Sequence, residues 1–213
     1  MNAGTERGAV SGPAGAIETA LDAATGQPDS PSLGLALVCH PHPQFGGTLD
    51  NKVVQTLARA FVQIGYTAVR FNFRGVGQSA GTWDDGRGEI DDALAVLAAH
   101  RKPGQPLLMA GFSFGAFIAS QVALRLAAVG APAQRMVLVG TAASRFDVAT
   151  VPADTVVIHG ETDDVVPLAD VLAWARPQQL PVVVVPGAGH FFHGQLPVLK
   201  NTVLRALGFS PTS

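Results

Sequence analysis

The chain has 213 residues, 47% hydrophobic and 14% charged, enough for one α/β domain with a substantial core and too few for a second beside it. A formal net charge of -2, with no Lys/Arg cluster, removes the electrostatic basis for binding nucleic acid or an anionic membrane surface. Cys39 is the only cysteine, which excludes an intrachain disulfide and a thiolate metal cage and predicts a small buried hydrophobe at a strand end.

Short apolar runs alternate with longer amphipathic ones, the pattern of a mostly parallel sheet with helices on both faces. In the Gly/Pro-rich N-terminal segment, residues 1–30, IETALDAA reads as an antiparallel strand or part of a hairpin. LGLALVC, residues 33–39, reads as a buried strand, with Asp50 or Asn51 capping a helix that runs to Ile64 and stops at Gly65. YTAVRFNF, residues 66–73, is the next strand; a Gly-rich loop to about Gly88 leads into the helix EIDDALAVLAAH, ended by Pro103 and Gly104. The acidic residues at that helix start need no further role than its dipole.

PLLMAGF is a strand that runs into Ser113, followed by a helix over 115–129. RMVLVG and TVVIHG are two more strands, VLAWA a helix, PVVVV a strand and LPVLKNTVLRAL a closing helix. Only about 15 residues join the RMVLVG and TVVIHG strands, the length of an ordinary connection and too short for an inserted domain. A site at the carboxyl ends of these strands should therefore be open to solvent.

GFSFG, residues 111–115, has the spacing Gly-x-Ser-x-Gly between a strand and a helix. A serine on so tight a turn adopts strained backbone angles, and side chains two residues before and after it would clash. Ser113 is then a nucleophile at a helix N-terminus, or else a serine that simply caps the helix. A base and an acid follow in chain order. HGETDDVVP offers Asp163 and Asp164, and PGAGHFFHG offers His190 and His193, each just past a strand.

Oxyanion donors are the N–H after the nucleophile, that of Phe114, and one from the loop HPHPQFGG. Pro41 and Pro43 have no N–H, which leaves His42, Gln44 and Phe45.

Through HPHPQFGGTLDNKVV, FNFRGVGQS, GFSFG, HGETDDVVP and PGAGHFFHG, the chain resembles the α/β-hydrolase superfamily from about Leu33 onwards. It is similar in particular to compact bacterial serine hydrolases with a His-Pro-His-Pro...Gly-Gly loop and no lid. The resemblance implies a single α/β-hydrolase domain over residues 1–213 and a triad of Ser113, Asp163 in Gly-x-x-Asp and His190 in Gly-x-Gly-His. It also implies the backbone of His42 as the second oxyanion donor, although Pro41 stands where the wider family has glycine. His193 would be a neighbouring surface or pocket residue. Of the aromatics near the motif loops, Phe45, Trp83, Phe114, Phe191 and Phe192 could line an acyl pocket, and Phe112 packs inward.

The expected activity is hydrolysis of a carboxylic ester or thioester through an acyl-enzyme. A peptidase, amidase or lactone hydrolase on the same triad is the alternative, and a non-catalytic binding module is the rival of another class. No cofactor is expected. GVGQSA matches a dinucleotide fingerprint, but GTWDDG follows where a helix would have to open. His40, His42, His190 and His193 lack a metal-ligand pattern, so no metal is expected. The partner is a small-molecule acyl substrate, with neither nucleic acid nor membrane, and the chain is a monomer or homodimer. The N-terminal stretch lacks a basic leader and apolar h-region, and no later run approaches the roughly 20 apolar residues of a membrane span, which gives a cytoplasmic location as the expectation.

Overall fold

The structure is a computed structural model that describes residues 4–24 and 32–209. Runs rich in Val, Leu and Ala form eight strands of one sheet: β1 (Glu6–Gly12), β2 (Gly15–Asp22), β3 (Gly34–Cys39), β4 (Tyr66–Phe71), β5 (Leu107–Phe112), β6 (Arg135–Val139), β7 (Val156–Gly160) and β8 (Val182–Val185). The amphipathic runs form α1 (Lys52–Gln63), α2 (Arg87–His100), α3 (Phe114–Ala128), α4 (Leu168–Ala175) and α5 (Leu196–Ala206). Spatial order is β1-β2-β4-β3-β5-β6-β7-β8. β2 pairs antiparallel with β1 and β4, and every pairing from β4 to β8 is parallel.

The central strands are apolar at consecutive positions because both faces are covered. Leu35 and Leu37 of β3, Met109 of β5 and Leu138 of β6 face a core shared with α2 and α3. Ala36, Val38, Ala110 and Val139 alternate onto the other face, against α1 and α5. The parallel register aligns Cys39 with Gly111, Phe112 with Val139, and Gly160 with Val185, so the strands finish together. The loops that follow all emerge along one edge, the crevice where open α/β sheets hold their ligands.

The N-terminal expectation resolves into a full hairpin, β1 with β2, of which IETALDAA supplies most of the second strand. Residues 1–3 and 25–30 of the segment lie outside the described residues. Two of the boundaries that differ from expectation have a visible hydrogen-bond cause. β4 stops at Phe71 because Asn72 and Phe73 leave the ladder: Asn72 Oδ1 accepts from the Leu49 N–H, and the Phe73 N–H donates to His40 Nε2. α2 begins at Arg87, before the expected loop has ended, since Glu89 caps it by accepting from the Gly86 N–H at 2.9 Å. Asn51, of the two cap candidates, receives the Val53 and Val54 N–H groups at the start of α1. Cys39 is buried, and burial pushes its thiol well above the ordinary range. Among the described residues no helix is long and apolar enough to cross a membrane.

Candidate active site

At the end of β5 the chain turns into α3 through Ser113, which has φ 57° and ψ -117°. A non-glycine residue there stores on the order of 1–3 kcal/mol of strain, which the surrounding structure has to hold. The two glycines make the turn feasible. A Cβ on Gly111 would sit 2.1 Å from the Gly115 carbonyl oxygen, and one on Gly115 would sit 2.2 Å from that of Cys39. Ser113 occupies the N-cap position of α3, yet its hydroxyl accepts no capping hydrogen bond. The helix-cap alternative therefore does not describe what this side chain does.

Asp163 and His190 meet across two loops. Asp163 is carried three residues past the strand end by β7, and its Oδ1 accepts from the Val165 and Val166 N–H groups at 3.0 and 2.8 Å. Its Oδ2 accepts from His190 Nδ1 at 2.7 Å, which fixes the proton on Nδ1 and leaves Nε2 with its lone pair. Burial raises the Asp163 pKa, but the hydrogen bonds from His190 and Val166 outweigh it and hold the carboxyl below its ordinary value. Asp164 and His193 are exposed and take no part. The two loops touch closely at Gly160, where a Cβ would lie 2.3 Å from the Ala188 carbonyl oxygen.

The sequence reading assigned nothing to His159, the last residue but one of β7. It is fully buried, donates from Nε2 to the Val166 carbonyl at 2.9 Å, and keeps that nitrogen 3.4 Å from Asp163 Oδ2. Its Nδ1 is buried without a partner among the described residues. Burial lowers its pKa, so it supports the carboxylate as a neutral dipole. Its position in His-Gly-x-x-Asp, with the side chain on the Asp163 side of the strand, was the available signal.

On the other side of Ser113, the loop over residues 40–51 starts from His40. Its Nε2 accepts from the Phe73 N–H at 3.0 Å and its Nδ1 donates to the Pro41 carbonyl at 2.6 Å. Burial drives its pKa down to about 3, so the ring stays neutral. The loop then folds around His42, whose carbonyl receives the Phe45 and Gly47 N–H groups and whose ring Nδ1 receives that of Gln44. This removes Gln44 and Phe45 as free donors. The His42 N–H has no acceptor among the described residues, and the Phe114 N–H opens α3 where no intrahelical acceptor exists.

Ser113, His190, His42 and Phe114 line one cavity of about 270 Å³ whose remaining wall is mostly apolar. Phe45 and Phe191 also line it, whereas Phe192 and Phe112 are buried in the core. Trp83 stacks on the His42 ring at 4.5 Å between centroids, backing the loop rather than lining the cavity. Phe146 and Arg145, from the connection after β6, are further wall residues that no motif had marked. Among the described residues no group of three His, Cys, Asp or Glu side chains is arranged to hold a metal ion.

A family model described as serine aminopeptidase, S33 matches residues 46–147. A crystal structure from Xanthomonas campestris, described as an α/β serine hydrolase without a lid, is 36% identical, covers 100% of this chain and 99% of that one, and superposes with a TM-score of 0.86. An α/β serine hydrolase homologue from Coxiella burnetii is 37% identical over 95% of this chain and 97% of that one, also with a TM-score of 0.86. An uncharacterised protein of Rickettsia prowazekii is 36% identical over 200 residues, 85% of this chain and 79% of that protein. Likeness of sequence and of fold along the whole chain thus agree with the sheet order and with a β6–β7 connection that holds no further domain, and the chain belongs to the lidless α/β serine hydrolases.

Proposed function

We propose that this hydrolase cleaves a carboxylic ester or thioester with Ser113 as nucleophile, His190 as base and Asp163 as the acid that orients it. The observation that carries this reading is Ser113 itself: a strained serine whose hydroxyl caps nothing, sharing a cavity with an imidazole already held by a carboxylate. Ser113 Oγ bonds to the acyl carbon while its proton passes to His190 Nε2. The tetrahedral oxyanion is received by the Phe114 and His42 N–H groups. His190 returns the proton to the departing alcohol or thiol, and a water activated by the same nitrogen then releases the acid. The hydroxyl makes no hydrogen bond to His190 among the described residues; such bonds commonly tighten only once substrate is bound. The open, small cavity favours short, exposed acyl groups over long lipid chains.

The match to a serine aminopeptidase model supports carrying amides as a second substrate class. Purified protein is treated with a fluorophosphonate and its intact mass read, with turnover of p-nitrophenyl acetate and of aminoacyl p-nitroanilides in parallel. A single adduct on Ser113, loss of labelling and turnover in Ser113→Ala, and a kcat about 10⁴-fold lower in Asp163→Asn are expected. Folded wild type that is neither labelled nor active would overturn the reading in favour of a binding module, and faster anilide than ester turnover would move it to a peptidase.

A further inference from the structure

Of the fifteen described residues that line the cavity, Arg145 is the only Asp, Glu, Lys or Arg. It stands on the loop after β6, lines the cavity together with Pro41 and Phe45, and is exposed to solvent. A guanidinium carries five N–H donors. Here a single contact is made, from Nη2 to the Val165 carbonyl at 3.3 Å, and among the described residues no carboxylate lies within ion-pair distance. The nearest acid along the chain to that contact, Asp164, is exposed and unpaired with it. His42, another lining residue, does not compete for an anion: burial and the Arg145 charge both lower its pKa and keep the ring neutral.

We infer that Arg145 is a specificity-determining residue that binds a carboxylate at the far end of the acyl group, so that the preferred substrates are monoesters or monothioesters of short dicarboxylic acids. The inference rests on the esterase reading above for the chemistry, and on the lining of the cavity for the charge. An uncommitted cation beside apolar walls strengthens its attraction for an anion, because water that would screen it is displaced when the acyl chain enters. The planar fork suits a carboxylate in two-point contact, leaving the Val165 contact in place. A plain hydrocarbon chain would gain nothing from this charge and would partly desolvate it. Wild type should therefore favour the acid over the matched neutral chain.

The test compares kcat/KM for the p-nitrophenyl monoester of adipic acid with that for p-nitrophenyl hexanoate, a chain of matched length. The adipate-to-hexanoate ratio should fall by about tenfold or more in Arg145→Met, fall further in Arg145→Glu, and recover partly in Arg145→Lys. A ratio unchanged across the three variants overturns the inference and leaves Arg145 as a strap to Val165. A second measurement needs no turnover: calorimetric binding of monoethyl adipate to Ser113→Ala, repeated with Arg145→Met added. Loss of tenfold or more in affinity supports the carboxylate site even if neither ester is hydrolysed, whereas equal affinity overturns it. Absence of hydrolysis alone counts against the esterase reading, and the binding result then decides the role of Arg145 separately.

Discussion

Two loops flank Ser113, and each hangs on one buried side chain that works only without an added proton. On the side of the proposed oxyanion donors the anchor is His40, neutral, donating to one backbone carbonyl and accepting from one backbone N–H. On the acid side it is Asp163, charged, surrounded by the N–H groups of Val165 and Val166 and the imidazoles of His190 and His159. A neutral anchor is the easier to bury, since no charge loses its water. It is also the easier to lose to acid, because its unfolded counterpart takes up a proton at a much higher pH. The charged anchor demands more partners, and its share of stability starts to drain only below the ordinary carboxylate value of 3.8.

The contrast is tested most strongly by displacing one loop at a time. A Cβ on Gly115 would lie 2.2 Å from the Cys39 carbonyl oxygen and 2.6 Å from that of His40, so Gly115→Ala pushes on the oxyanion loop. A Cβ on Gly160 would lie 2.3 Å from the Ala188 oxygen and 2.9 Å from that of Gly189, so Gly160→Ala pushes on the His190 loop. Each should cost about 1–3 kcal/mol in urea unfolding and on the order of 10²-fold in ester kcat/KM. The downfield proton resonance of the His190–Asp163 hydrogen bond separates them: it should persist in Gly115→Ala and shift or vanish in Gly160→Ala. If Gly115→Ala abolishes it too, the loops are one unit.

That experiment also marks how far the sequence could be read. Parallel strands buried on both faces announce themselves as unbroken apolar runs, and a turn that tolerates only glycine announces itself as Gly-x-Ser-x-Gly; both depend on short-range geometry. Asp163 was separable from Asp164 only by family resemblance, because which of two adjacent carboxylates is buried depends on where the 186–195 loop folds back. For His159 the only signal was its place in His-Gly-x-x-Asp, a weak one because any strand can bury a histidine. Arg145 and Phe146 sit in a connection of irregular backbone, and their place in the wall follows from its path across the β6 and β7 ends. The start of β1 was hidden in a Gly-containing stretch whose residues are largely exposed, which weakens the alternation a strand is read from.

Acid should act on the two anchors in different ranges. The folded pKa of His40 is about 3 against an ordinary 6.5, so its share of stability is complete above pH 6.5 and drains as pH falls towards 3. Asp163 is held below its ordinary 3.8, so its share is complete above that value and is lost only as pH falls through the lowered one. Urea unfolding at intervals from pH 7 to pH 4.5 should show stability falling with pH, with His42, His100 and His159 adding to the slope because burial lowers them as well. His40→Gln can offer both an acceptor and a donor and does not titrate. It should remove up to one proton's worth of slope, about 1.4 kcal/mol per pH unit, whereas Asp163→Asn keeps the share of the slope that belongs to His40. An unchanged slope in His40→Gln would deny that His40 anchors its loop as a neutral group.

The smallest effect expected is at the outer support of the oxyanion loop. Trp83 lies against the His42 ring at 4.5 Å and an interplanar angle of 29°, and its centroid is 5.0 Å from that of Phe114, so it touches the residues on both proposed donors. Its own Nε1 donates to Asp85, which fixes the indole from behind. The His42 backbone is separately held through its carbonyl by Phe45 and Gly47, so Trp83→Ala loosens the loop without releasing it. Such a contact is worth about 0.5–1.5 kcal/mol beyond buried area, which corresponds to a loss of roughly 2- to 10-fold in kcat/KM. Because the oxyanion exists only in the transition state, the loss should fall on kcat with KM little changed. A loss confined to KM would instead make Trp83 a wall that the acyl group touches, and the His42 donor would then be held by its backbone contacts alone.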